Sequence, residues 1–255
     1  MVLPFIKSSI AVRLLFLTLV FTNFHNEAEN VSVTPPTGFA VVELFTSEGC
    51  SSCPPADKVV TDLANKYGEQ VYVLGFHVDY WNRLGWKDEF SSVAYSKRQG
   101  AYATVFSLDG VYTPQVVVNG EKQFVGSDRN KLEQTVQSLL KEKPLASIEL
   151  NANTGEKNTV KVSYTAHVSD NSIINLTLIQ LKAESSVARG ENKGLNLHHI
   201  NVVRDFKTVN VQKDRSLTSV LTIPEGLAAK DCKVIAYTQE KGNLHITGVT
   251  VAVIK

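Results

Sequence analysis

The sequence predicts an α/β domain with a helical insertion, followed by an all-β, sandwich-like domain. Three observations carry that prediction. Between residues 40 and 76 a short apolar run, an amphipathic stretch and a second apolar run follow one another, the pattern of a β-α-β unit. Asn119-Gly120 separates two β-rich runs, which is the strongest short-range hairpin signal. Beyond Pro144 the periodicity changes to alternation, with polar turns and almost no helical spacing.

The chain opens with a different composition. Lys7 and Arg13 precede the apolar run at 14–21, and residues 23–30 are polar, the pattern of a secretory leader. We place the signal peptide at 1–29; its apolar run is shorter than the ~20 residues a membrane-spanning helix needs. The mature chain is therefore expected to be exported, periplasmic or extracellular, with no membrane span. Elsewhere the composition is that of a globular protein, 43% hydrophobic and 20% charged, with net charge +1. Such a balance gives no field to attract nucleic acid or anionic membrane, and no basic patch reopens the question.

After a spacer at 34–38, the run at 40–45 reads as a buried strand, short and β-branched, ending in the turn-prone 46–49. Val59, Val60, Leu63, Ala64 and Tyr67 recur at helical spacing, which predicts a helix over 54–67, stopped by Gly68. Residues 71–76 form a second strand, apolar enough for a parallel sheet. An insertion at 77–106 follows, with a helix near 91–105. The hairpin comes next. Leu132, Val136, Leu139 and Leu140 then stripe a last helix between Ser127 and Lys143, N-capped by Ser127 or Asp128. The order βαβαββα is that of thioredoxin with an added helix, so 38–143 is expected to be a thioredoxin-like domain. Residues 145–255 supply about seven alternating strands, expected to close into an antiparallel sandwich.

Chemistry concentrates at Cys50-Ser51-Ser52-Cys53, between the first strand and its helix. A helix N-terminus presents unpaired N–H groups and partial positive charge, which favour thiolate over thiol. The thiolate is the form that attacks a disulfide, and two intervening residues let the second sulfur close the loop. Ser51 and Ser52 can donate hydrogen bonds to it, and Pro54 and Pro55 suit a first helical turn. A zinc site needs a second pair of ligands at metal spacing, and no second Cys pair exists. We therefore read Cys50–Cys53 as a redox pair. The third cysteine, Cys232, lies in a β run and reads as a packed sheet residue, although spacing alone leaves a Cys53–Cys232 bridge open.

Other residues gather round that pair by their place in the fold. Thr113-Pro114 stands just before the hairpin, where a cis proline beside the dithiol is expected to present Thr113 to a partner chain. His77 and Asp79 lie at the end of the second strand, where ligands collect in open α/β sheets. His77 can carry a proton or ligate a metal; both residues can equally cap the strand. Tyr80, Trp81, Trp86 and Phe90 make either a lid or the insertion's own core, and we expect core. Glu43 is placed to assist proton transfer only if its strand face points toward the dithiol. His198 and His199 are adjacent on a strand, face opposite ways and are discounted as a joint site.

Residues 41–57, VVELFTSEGCSSCPPAD, resemble the signature of a family of exported thioredoxin-like proteins, domain of unknown function 1223. So do 76–81 (FHVDYW) with 85–88 (GWKD), and 111–115 (VYTPQ). Two further runs, 189–194 (RGENKG) and 199–204 (HINVVR), are similar to that family's C-terminal signature. The resemblance implies a thioredoxin-like domain with a C-terminal β domain, and it supplies no substrate. Gly49 stands where thioredoxins carry an aromatic residue, a departure from a general reductase.

Together these readings lead to an exported thiol–disulfide oxidoreductase acting on protein thiols or disulfides, without a cofactor. Cys50 is expected to be the attacking, more exposed thiol and Cys53 the resolving one, with Thr113, Pro114 and His77 in support. One alternative is Cu(I) handling by Cys50, Cys53 and His77, since soft thiolates and imidazole suit copper. The other is a binding module with a structural disulfide.

Overall fold

The computed structural model describes residues 1–2, 38–212 and 214–255, so most of the expected leader and its spacer lie outside the described residues. The apolar run becomes β1 (Ala40–Thr46), buried along its whole length. Helix α1 (Cys53–Tyr67) follows, with Val59, Val60 and Leu63 on its buried face and Gly68 as its C-cap. Strand β2 (Val71–His77) returns parallel to β1. In the insertion, α2 (Val93–Val105) is capped by the Ser92 side chain, which accepts from the Ala94 N–H.

The hairpin is formed by β3 (Gln115–Val118) and β4 (Lys122–Val125), with positive φ at Asn119 and Gly120. Gly120 is obligatory there, because a Cβ would stand 1.9 Å from the Leu244 carbonyl oxygen. Helix α3 (Arg129–Leu139) is N-capped by Asp128.

The rest is strand: β5 (Ser147–Thr154), β6 (Thr159–His167), β7 (Ser172–Ser186), β8 (Asn196–Asn210), β9 (Leu217–Thr222), β10 (Cys232–Glu240) and β11 (Ile246–Val253). Eight strands form one mixed sheet, in the order β11-β10-β7-β8-β2-β1-β3-β4. The other three, β5-β6-β9, make a small second sheet.

That order overturns the expected architecture. There is no separate thioredoxin-like α/β domain and no free-standing sandwich; the chain is mostly β, with three short α-helices among the described residues. The joint is β8, which pairs in parallel with β2 at Gly75 and Val202. A strand edge left open at β2 would expose a row of unpaired N–H and C=O groups. Here β8 covers that edge and carries the sheet on into the second half. Alternation along each strand fixes its faces, yet it carries no record of which distant strand covers its edge.

Packing follows the same joint. One face of β1, with Ala40, Val42 and Leu44, packs against α1 and α3. The opposite face, with Val41 and Phe45, packs with Leu74 and Phe76, α2 residues Tyr95 and Tyr102, and Ile179, Val203, Ile235 and Tyr237 from the second half. A third cluster joins the small sheet to β7 and β10 through Val160, Val162, Leu176, Leu178, Leu221 and Val234.

Candidate functional site

The turn leaving β1 is built by its own backbone. The Cys50 N–H donates to the Ser47 carbonyl at 3.1 Å, and the Cys53 N–H to the Cys50 carbonyl at 3.1 Å. The two cysteines form a disulfide across a sequence separation of 3. Cys53 opens α1, and Pro54 and Pro55, which have no N–H, occupy its first turn. The helix N-terminus therefore offers the sulfurs fewer N–H donors than its position suggests. The Cys50 sulfur instead has the Ser52 hydroxyl at 3.3 Å.

Neither sulfur-bearing residue is open to solvent: Cys50 is 0% exposed and Cys53 1%. Cys50 is thus not the more exposed thiol, because two other segments pack over the turn. Trp81 lies on it; a side chain at Gly49 would meet the Trp81 Cβ at 3.3 Å. The Trp81 indole N–H donates to the Thr113 hydroxyl at 2.8 Å, tying the turn to the Thr113–Pro114 segment. The Thr113–Pro114 peptide bond is cis, as expected.

The second cover comes from the loop joining β7 to β8. Buried Asn192 donates its amide to the carbonyls of Glu48 and Cys50, at 2.8 and 2.9 Å. Exposed Glu191 accepts from the Ser51 N–H at 3.0 Å and the Ser51 hydroxyl at 2.7 Å, and these two donors hold its carboxyl below the usual range. Both residues fall in the run 189–194, and sequence reasoning gave them no role. The signal was the presence of that run in the family resemblance.

Beneath the turn lies a cluster of ionisable side chains: Glu48, Asp57, His77, Asp88 and His199. His77 Nδ1 bonds Asp88 at 2.7 Å, with both side chains buried. Asp88 also accepts the backbone N–H groups of Glu48 and Phe90, each at 2.9 Å. Burial works against a charged His77, but the Asp88 carboxylate, with Asp57 and Glu48 behind it, outweighs burial and raises its pKa. Burial likewise opposes an ionised Asp88, and His77 with the two N–H groups more than offsets it, holding the carboxyl low.

His199 completes the cluster from β8. Its Nδ1 lies 3.2 Å from Asp57, its ring centroid 4.8 Å from that of His77, and its Nε2 3.8 Å from Glu48 Oε1. Phe90 packs against both imidazoles. The Trp86 indole N–H donates to Glu48 Oε2 at 2.7 Å. Trp81, Trp86 and Phe90 therefore hold the site together rather than forming only a core for the insertion.

Other candidates fall elsewhere. Asp79 accepts from Ser96 at 2.5 Å and ties down the insertion. Glu43 is on the sheet face away from α1, bonded by Arg98 at 2.6 and 2.9 Å and by the Tyr237 hydroxyl at 2.8 Å. It does not serve the dithiol. His198 points outward, 69% exposed, and pairs with Glu184. Cys232 is a free, buried thiol whose pKa burial, with Asp231, pushes up to about 11. As for copper, both sulfurs are in the disulfide, and among the described residues no three His, Cys, Asp or Glu side chains are grouped to hold a metal ion.

Comparison with known proteins adds a family and a structural relative. The profile of a family described as protein of unknown function (DUF1223) matches residues 41–239. No curated protein matches the chain. The crystal structure of an Agrobacterium tumefaciens protein is similar at 26% identity, over 83% of this chain and 92% of that one, with a TM-score of 0.63.

Proposed function

The chain belongs to the DUF1223 family, whose function is unknown, and from that premise we propose that Cys50–Cys53 is a redox-active pair exchanging with protein thiols or disulfides in an exported protein. The observation that carries the reading is the setting of the disulfide. It closes a loop of sequence separation 3 in the turn that packs on a largely buried set of two histidines and three acidic side chains. A cross-link this short restrains the unfolded chain weakly, on the order of 2 kcal/mol in the chain-entropy picture. Burying several ionisable groups costs more than that, so stapling alone is a poor reason for the arrangement. The disulfide is consistent with an oxidising compartment, as the leader pattern suggests.

The assay is capture of mixed disulfides. Expressed with its leader, Cys53→Ser is expected to accumulate reductant-sensitive adducts on Cys50, and Cys50→Ser to accumulate none there. Absence of adducts on Cys50 sinks the proposal. A second reading, a binding module with a structural disulfide, draws on the burial of both cysteines. A reduction potential below about −300 mV favours it.

A further inference from the structure

The ionisable cluster has three buried polar ends without a hydrogen-bond partner among the described residues. Asp88 receives two backbone N–H groups and so stays a carboxylate, which means that His77 Nδ1 carries the hydrogen of their bond. His199 Nδ1 is committed to Asp57 in the same way, while Asp57 also accepts from the Thr46 hydroxyl at 3.2 Å. Held in this tautomer, each imidazole turns its Nε2 away from its carboxylate partner. Those two atoms and Glu48 Oε1 are the buried ends of the cluster, and none has a hydrogen-bond partner among the described residues. Three buried acceptors without a donor are a costly arrangement. A single proton on either imidazole converts one acceptor into a donor and resolves it.

The cluster also neighbours the start of α1 and reaches solvent. Asp57 lies four residues beyond Cys53 in α1, so both side chains share one helix face. Pro54, Asp57 and His199 line an open pocket of about 320 Å³. The charged and titratable groups around His199 are Glu48 from the turn, Asp57 from α1, His77 from β2 and Asp88 from the insertion; Lys58, Asp62 and the outward His198, paired with Glu184, line the pocket, and Glu191 caps the turn.

We propose that His77 and His199 hold one proton between them against Glu48, and that this proton passes by way of Asp57 to the Cys53 sulfur when the disulfide is reduced. The inference rests on the redox reading above and names the proton carrier of that same site. In the step, a partner thiolate attacks Cys50 Sγ and forms a mixed disulfide. The Cys50–Cys53 bond breaks, its electron pair stays on Cys53 Sγ, and that sulfur takes the cluster proton. Solvent reloads the cluster through the pocket. In reverse, Cys53 returns the proton, attacks Cys50 Sγ as thiolate and expels the partner sulfur with its electron pair. His199 acts through Asp57 and is a positioning residue.

The test is the rate at which dithiothreitol reduces the folded, oxidised chain across pH, divided by the reductant's thiolate fraction. In the unaltered chain the corrected rate is expected to fall about tenfold per pH unit once the cluster gives up its proton. His199→Gln is expected to be slower by roughly 100-fold or more on the acid side, the scale of a lost proton donor, with a flat corrected profile. His167→Gln, exposed on β6 and outside that pocket, should reproduce the unaltered profile. If His199→Gln does not fold, Asp57→Asn carries the same expectation, with near-UV circular dichroism as the folding check. An unchanged profile in a folded His199→Gln or Asp57→Asn overturns the inference and leaves the redox reading standing. A disulfide that resists reduction at every pH overturns both.

Discussion

Replacing Arg98 with Met tests the joint between the two halves of the chain. Arg98 meets Glu43 through two hydrogen bonds, at 2.6 and 2.9 Å, and also reaches Tyr102 at 3.1 Å. Glu43 is 0% exposed. The guanidinium stands over the rings of Phe76, Tyr102, Phe206 and Tyr237, at 4.9–5.6 Å from their centroids. Tyr237 and Gln239 come from β10, so the pair links β1 and α2 to the far half of the sheet. In Arg98→Met the Glu43 carboxylate keeps the Tyr237 hydroxyl but loses its counter-charge. Breaking a buried pair from one side costs roughly 3–5 kcal/mol. Against a typical total of about 5–15 kcal/mol, that is a large share of the stability. Urea unfolding followed by far-UV circular dichroism is expected to show a loss of this size in one transition, because both halves share the core. Glu43→Met with Arg98→Met should recover much of it, since apolar replacement of a buried pair is often near neutral. A loss below about 1 kcal/mol, or separate transitions for the two halves, refutes the reasoning.

Two further outcomes follow from the cover and the cluster. Asn192→Ala removes two hydrogen bonds from the dithiol turn; at about 1 kcal/mol each this raises the open population roughly 30-fold, read as faster reduction by dithiothreitol. An unchanged rate means that the loop does not guard the disulfide. The His77–Asp88 pair sets two limits on stability. The contribution of Asp88, whose pKa is lowered, is present above about pH 3.9 and is lost as pH falls through its folded value. That of His77, whose pKa is raised, is complete below about pH 6.5 and is lost as pH rises through its folded value. The melting temperature is therefore expected to peak between about pH 4 and 6.5, and Asp88→Asn to flatten both limbs. Equal pH dependence in that variant contradicts the assignment.

What the sequence reveals and what it hides separate along the range of the interactions. Strand β1, helix α1, the Asn119–Gly120 hairpin and the caps of α2 and α3 follow from residues within a few positions of one another. The Cys50–Cys53 bridge is local too, at separation 3. The pairing of Gly75 with Val202 is not local, and nothing in the alternation of either strand specifies it. His199 shows the limit well. Adjacent strand residues do face opposite ways, and His198 is exposed while His199 is buried, so the pair is indeed no joint site. The parity rule dismissed both as a pair, yet it also meant that one of them had to face inward. Its partner, His77, lies on another strand 122 positions earlier by their residue numbers. Glu43 was ambiguous for the same reason: its face depends on which side α1 packs.

The corrected fold and the enlarged site are one structural fact. Seating β8 against β2 brings His199 to 4.8 Å from His77, measured between ring centroids, and the loop that leads into β8 places Asn192 on the Cys50 and Glu48 carbonyls. Were residues 38–143 a self-sufficient domain, β2 would be an edge strand. Glu48 Oε1 and His77 Nε2, now buried without a hydrogen-bond partner among the described residues, would then lose the β8 cover and their neighbour His199. Water is a ready partner for an exposed imidazole or carboxylate, so such a site would have no need of a shared proton. Burial by the second half removes that partner. The β8 strand thus both joins the two parts of the sheet and creates the electrostatic demand that the proposed proton sharing would meet.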